Sequence, residues 1–412
     1  MKVSKNYALF IVVLYMFALQ CAIMQHVAIF KYWDELYALL CIPLAVMKYN
    51  RKIIKKNKYA RNLAKALILF VGVGVISNGV YRYQVWHAVA QDIFLNLKFF
   101  MGIVTTYYLF RDFNIKKYKT RIRTHVKILI LLYFALVIQN KITHVFPVAD
   151  MRFGMNAEKI FFNHPTELAS ATFFLLLILM ICYTGLKKDL AYIVMGAAIV
   201  ILTLRFKAIA AVMIFLYMYF IITTGKRMKF TYFLPLIPFC VMVGWNEFYF
   251  YFFSDATMLM ARGALSYVSL RVARDMFPLG AGFGTFASWP SGTFYSPLYE
   301  MYGIGNVWGL TRDWSGLVSD VFWPMIIAQN GFLGFGLYVY IVICLIKLIL
   351  QCAKIDSRLY LAGMGAIFYL LVSSLAESAF VNPLALPLSV VIGLTICAYY
   401  QKERKENLVK NS

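Results

Sequence analysis

The chain has 412 residues, of which 62% are hydrophobic and 14% charged, with a mean hydropathy of +0.71 and a net charge of +23. A soluble domain carries about 25% charged residues, so this balance excludes an ordinary soluble protein and points to an integral membrane protein. Nucleic-acid binding, which such a charge would suggest in a soluble chain, is set aside because Lys and Arg fall in short clusters between apolar runs, where they orient spans in a bilayer.

A helix that crosses a bilayer needs about 20 mostly apolar residues. The apolar runs predict twelve, at residues 7–29, 34–48, 64–81, 86–110, 127–146, 166–185, 189–205, 207–224, 231–250, 322–347, 359–380 and 384–400. The first is longer than a signal-peptide core and lacks a small-residue cleavage site, so it reads as a span. Most of the 41 basic residues lie at the N-terminus and in every second loop, including KYNRKIIKKNKYAR and RDFNIKKYKTRIR. The positive-inside rule makes that face cytoplasmic, with both termini inside. The fold class expected is therefore an all-α polytopic membrane protein, one domain over 1–412, with external segments at 141–165 and 251–321. The seven Cys fall in or beside apolar spans without a CxxC, so neither a disulfide framework nor a thiolate metal site is expected.

The first external segment, VADMRFGMNAEKIFFNHPTELAS, brings Arg152, His164 and Glu167 to the mouth of the sixth span. His164 before Pro165 reads first as a helix start and second as an acid or base. Arg205, in VILTLRFKAIA, sits at the outer end of the seventh span, either snorkelling to the interface or facing a cavity where it binds an anion. Glu377, near the outer end of the eleventh span, is either a partner for a nearby Arg or a direct participant.

The second external segment is about 70 residues long, and loops of that length are usually functional or disordered. Trp289, Trp308, Trp314 and many Tyr and Phe make it too apolar to stay solvated, so a folded loop is expected. Residues 255–277 read as a helix that Ser254 or Asp255 can cap and that Pro278 with Gly280 ends. Met258, Leu259, Leu265, Val268, Val272 and Met276 form its apolar stripe; Arg262, Arg271 and Arg274 punctuate it. Residues 278–321 follow as a Gly/aromatic segment. In GAGFG, Gly280, Gly282 and Gly284 could turn tightly and present N–H groups to an anion or a sugar oxygen. Tyr295, Tyr299 and Tyr302 could stack on sugar rings or anchor the loop at the interface. No paired carboxylates with metal-ligand spacing, HExxH or nucleophile elbow occurs outside, so a metal site or serine hydrolase is not expected. A cationic, aromatic site on the outer face suits a sugar chain on a polyprenyl diphosphate, whose departure guanidinium groups can assist.

The patches AR..L...S...A.DMFPLGAGFGTF, YSPLYEMYG and SDVFWPMIIAQNGFLGFGLYVYIVI, with the earlier FFNHPTELAS and LRFKAIA, resemble in order and spacing the O-antigen ligase and Wzy-type polysaccharide polymerase superfamily. The likeness covers roughly residues 150–345, and Leu204 replaces the Ser of the Ser-Arg-small pattern. It implies a C-type glycosyltransferase bundle in the bacterial cytoplasmic membrane, without metal or nucleotide cofactor. Such an enzyme moves a glycan from undecaprenyl diphosphate to an acceptor on the external side, with a chain-length regulator and a flippase as candidate partners. The family's diphosphate-binding Arg residues map onto Arg205 and Arg262, with Arg274 and Arg271 as further candidates. Ligases of the superfamily carry a His just before the tenth span; here that place reads LVSDVFWP, with Asp320, and all five His precede residue 165. The expectation is a polymerase in which Asp320 orients or deprotonates the acceptor. A ligase is the alternative on the same fold, and a lipid-oligosaccharide transporter the alternative of another class.

Overall fold

The apolar runs become helices, and a polar side chain closes the first turn of some of them. Asn57 caps the helix that follows it by accepting from the Tyr59 and Ala60 N–H groups, and Asn114 and Asp356 do the same for Lys117 and Arg358. Arg82, His144 and Leu204 end or join helices with positive φ. The computed structural model describes residues 4–24, 27–48, 57–148, 150–152, 154–223 and 257–410, with isolated residues between 234 and 249.

In chain order the longer helices are α1 (Lys5–Ile23), α2 (Trp33–Leu39), α3 (Cys41–Lys48), α4 (Lys58–Tyr81), α5 (Trp86–Phe110), α6 (Ile115–Thr143), α7 (Pro165–Ile181), α8 (Leu186–Leu202) and α9 (Phe206–Thr223). Helix α10 (Ala261–Asp275) comes next, then two short helices, α11 (Trp289–Thr293) and α12 (Leu298–Met301). Last come α13 (Trp323–Gln351), α14 (Ser357–Ser373) and α15 (Ala385–Lys410). Among the described residues, strand is confined to one short antiparallel pair, Met151–Arg152 with Met155–Asn156. The described residues are thus overwhelmingly helical, and five of their helices (α1, α4, α5, α6 and α13) are long and apolar enough to cross a membrane. The helices α7 and α14, and the apolar stretch Phe206–Phe220 of α9, are apolar but shorter. The expected span at 34–48 is broken at Leu40 into α2 and α3, and the expected span at 231–250 lies outside the described residues.

Lipid is as apolar as Leu, so packing and interhelical hydrogen bonds hold such helices together. Side α13 runs along α4, and α15 along α5. There Gly102 packs directly on Ser389, and Gly393 on Thr106, whose hydroxyl meets Tyr37 Oη at 2.8 Å. Contacts sort the helix ends into two groups. At the basic end, Lys116 pairs with Asp356 at 3.0 Å, Arg404 with Asp112 at 3.0 Å, and Asn57 with Gln351 at 2.8 Å. The opposite end carries the 144–164 segment, the α8–α9 junction, the start of α13 and the end of α14.

Candidate functional site

The Gly-rich segment is the first element that positions the site. Helix α13 is broken at Gly331 (φ 64, ψ −171), which frees the carbonyls of Ala328 and Gln329 from their helical partners. Those carbonyls accept from the N–H groups of Ala281 (2.8 Å) and Gly282 (2.7 Å). Asn78 of α4 clasps Phe283, its Oδ1 accepting from the N–H at 2.8 Å and its Nδ2 donating to the carbonyl at 2.9 Å. Asp92 of α5 accepts the Gly284 N–H at 2.6 Å, and Ser77 donates to the Gly280 carbonyl. Gly280 and Gly331 meet backbone to backbone: a Cβ on Gly280 would lie 2.4 Å from the Gly331 nitrogen.

This corrects the expectation for Gly282 and Gly284. Both are buried, and their N–H groups are consumed inside the protein, so they offer nothing to an anion or a sugar. Close backbone approach is needed, but to helices. Tyr299 is corrected likewise: it is fully buried, accepting from the Ala287 N–H at 3.0 Å and meeting the Ser291 hydroxyl at 2.7 Å, and so presents no face for stacking. Tyr295 is half-buried, donates to the Leu310 carbonyl, and carries the Arg312 guanidinium 5.0 Å above its ring. Tyr302 binds Asp275 and lies under Arg271.

The Arg-bearing helix starts later than expected. A 3₁₀ turn over Thr257–Leu259 precedes α10, whose N-cap is Met260; Ser254 and Asp255 lie outside the described residues. Leu265, Val268, Val272 and Met276 form its buried stripe, while Met258 and Leu259 are exposed. Arg262, in the first turn, reaches across to Asp320, Nη2 to Oδ2 at 3.0 Å, both partly exposed. Asp320 is not the cap of α13, a place Phe322 holds. Arg271 and Arg274 are exposed; Arg274 pairs with its neighbour Asp275 at 3.2 Å.

A second cationic group forms where α8 turns into α9. Leu204, at φ 53, swings Arg205 inward, where it is 9% exposed. Its Nη2 lies 3.1 Å from Asp150 Oδ2, and the same oxygen accepts from Arg152 Nε at 3.2 Å. Arg205 Nη2 also lies 3.2 Å from His164 Nε2. His164 is the N-cap of α7, with its Nδ1 accepting from the Thr166 N–H at 3.2 Å. Burial first, and the Arg205 guanidinium second, push the His164 pKa down to about 4, although contact with water at the mouth weakens the shift. A neutral imidazole has one acceptor nitrogen, yet a donor faces each of its two. An oxygen anion between Nε2 and Arg205 would accept from both and remove that mismatch. Glu167, in the first turn of α7, accepts from the Asn163 N–H at 3.1 Å and so fixes the helix start.

A run of contacts joins the two groups. Lys207 pairs with Glu377, the partner for which an Arg had been expected, and Trp323 Nε1 donates to Ser374 Oγ at 3.0 Å, three residues after Asp320. Arg205, Arg152, His164, Glu167, Arg262 and Asp320 therefore gather at the end of the bundle opposite the basic loops.

Sequence reasoning missed a third charged group. Lys98 of α5 is buried and pairs with Asp34 of α2 at 2.6 Å, which also accepts from Gln20 Nε2 at 3.2 Å; Glu35 lies 3.7 Å away. Lys98 and Asp92 both fall inside the span read at 86–110, and a charge within a span was the available signal. Asp150 lay in the quoted external segment and was passed over beside Arg152. The chain matches no protein-family model and no curated protein.

Proposed function

We propose that the chain is a polysaccharide polymerase of the bacterial cytoplasmic membrane. It joins oligosaccharide repeat units carried on undecaprenyl diphosphate at the external face, with twelve spans, both termini and the basic loops cytoplasmic. The observation that carries this reading is the gathering of two Arg–carboxylate groups, Arg205–Asp150–Arg152 and Arg262–Asp320, at the helix-bundle end away from the Lys and Arg clusters.

In the reaction, an acceptor sugar hydroxyl attacks the anomeric carbon of the donor glycan. The bond from that carbon to the diphosphate oxygen breaks, undecaprenyl diphosphate leaves with the electron pair, and the hydroxyl proton passes to Asp320. Guanidinium groups aimed at the diphosphate stabilise its developing charge, the role given to Arg205 and Arg262 with Arg152 beside them. Asp150 and Asp320 hold these cations in the absence of substrate. Arg274 and Arg271, on the exposed side of α10, can meet the incoming lipid-linked unit at longer range.

The test is the size distribution of surface and lipid-linked glycan in cells lacking the protein. Single repeat units without a ladder support the polymerase. Long lipid-linked chains that fail to reach their final anchor would mean a ligase, and units trapped on the cytoplasmic face a transporter.

A further inference from the structure

A cavity of about 340 Å³ lies at the basic end, between the start of α6 and the start of α14. That is the size of a small-ligand site. Its wall carries three cations, Lys116, Lys119 and Arg358, against one carboxylate, Asp356, over an apolar floor that includes Ile181 and Leu359. The carboxylate is already engaged: Oδ1 accepts from the Arg358 N–H at 3.1 Å, and Oδ2 pairs with Lys116 at 3.0 Å. Arg358 is pinned by donating to the Tyr183 carbonyl at 2.8 Å, its guanidinium 5.6 Å over the Tyr183 ring. Lys119 makes no ion pair or hydrogen bond among the described residues. The cavity thus carries two more positive than negative charges, with Arg358 and Asp356 held in place, and lies where α7 ends and α14 begins, at the level of the helix ends.

We infer that this cavity binds a phosphate-bearing anion, and that its occupant is an anionic phospholipid whose headgroup meets Lys116, Lys119 and Arg358 while its glycerol and first methylenes rest on Ile181 and Leu359. Basic recesses between helices at a membrane surface take such headgroups, whereas an exposed lysine cluster without a floor offers only diffuse attraction. The site is at the opposite end of the bundle from the Arg205 and Arg262 groups and does not depend on the reading given to them. Its structural effect would be to tie α6 to α14.

The test uses the full chain purified in a non-ionic detergent and native mass spectrometry with three probes: phosphatidylglycerol, phosphatidylcholine and inorganic phosphate. Phosphatidylglycerol is expected to be retained about fivefold less by Lys119→Ala, and about 25-fold less by Lys116→Ala/Lys119→Ala, at about one kcal/mol per lysine near the surface. Lys117→Ala, next to the cavity but outside its lining, is expected to retain the lipid as the parent chain does. Binding of inorganic phosphate that is lost in the double variant, without retention of phosphatidylglycerol, keeps the phosphate site and assigns it to a soluble ligand. Equal phosphatidylglycerol and phosphatidylcholine retention, or equal loss in Lys117→Ala and the double variant, would overturn the proposal. Lys116 and Lys119 lie on the helix surface, and an unchanged elution profile of the double variant shows that its fold is intact.

Discussion

Arg262 and Asp320 stand 58 positions apart in the chain and meet at 3.0 Å, in front of α13 and on the first turn of α10. An ion pair this exposed contributes about 0.2–1 kcal/mol, so losing it leaves the fold in place. Arg262→Ala and Asp320→Asn are both expected in the membrane at normal levels. If each acts on the reacting groups, glycan elongation falls about 100- to 1000-fold in Arg262→Ala, the usual loss when one stabilising donor is removed, and about 100- to 10,000-fold in Asp320→Asn, the usual loss of a general base. Near-normal chain length in Arg262→Ala would remove it from the site; unchanged turnover in Asp320→Asn would leave Asp320 only its ion pair.

Gly280 tests the docking of the external segment. At φ 76 it takes a conformation that side chains rarely adopt, and a Cβ would also collide with the Gly331 backbone. Left-handed strain and overpacking together put the cost of Gly280→Ala at about 2–6 kcal/mol. Gly303 has a similar φ of 71 but open space around it, so Gly303→Ala carries the conformational cost alone. Limited proteolysis and thermal melting should separate the two variants; equal melting temperatures would mean that residues 280 and 331 are not in contact.

The buried pair of Lys98 and Asp34 makes a different demand. Lys98→Met leaves a carboxylate with no exposure, held by Gln20 and facing Glu35, a change that costs about 3–5 kcal/mol. Lys98→Met/Asp34→Leu removes both charges and is expected to recover most of the loss. Melting of the two proteins in one detergent decides it, and a double variant no more stable than the single would show that the pair is not what the site requires.

His164 gives stability a pH dependence whose sign follows from its depressed pKa. Unfolded, the imidazole takes a proton near 6.5; folded, it resists until about 4. Stability from this group is therefore fully present above about pH 6.5 and is lost as pH falls toward 4, since the unfolded chain binds the extra proton first. Between pH 7 and pH 5 the parent chain should lose more melting temperature than His164→Gln. Parallel curves for the two would mean that the His164 pKa is not depressed in the folded chain.

The helical, membrane-like character was legible because apolar runs of helical length leave few alternatives in a bilayer: the run at 86–110 is helix over the same residues, and five described helices are long and apolar enough to span. Arg152, His164 and Glu167 were expected near one helix start, and the structure brings Arg205 to them through Asp150 and His164. The role of GAGFG was not legible, because glycines that allow close approach do not say what approaches. Its partners, Asn78, Asp92 and the freed carbonyls of Ala328 and Gln329, come from three separate helices. The break at Gly331 was hidden for a related reason: inside an apolar run a glycine reads as a small packing residue, and only the inserted backbone shows why the helix opens there. Lys98 and Asp34 were visible as charges, but their pairing depends on how α2 lies along α5.

The insertion at Gly331 also fixes an order of assembly. Helices α4 and α5 leave the ribosome about 170 residues or more before residues 280–284, and α13 emerges after them, so the groove that receives the loop does not exist while the middle of the chain is being made. Asn78 and Asp92 stay unclasped until α13 arrives, and docking is a joint event of loop and helix, with α14 and α15 still to pack. A ribosome stalled before residue 331 would hold a chain whose Gly-rich segment is still undocked and open to proteases, and docking would follow only once the chain around residue 331 had cleared the exit tunnel.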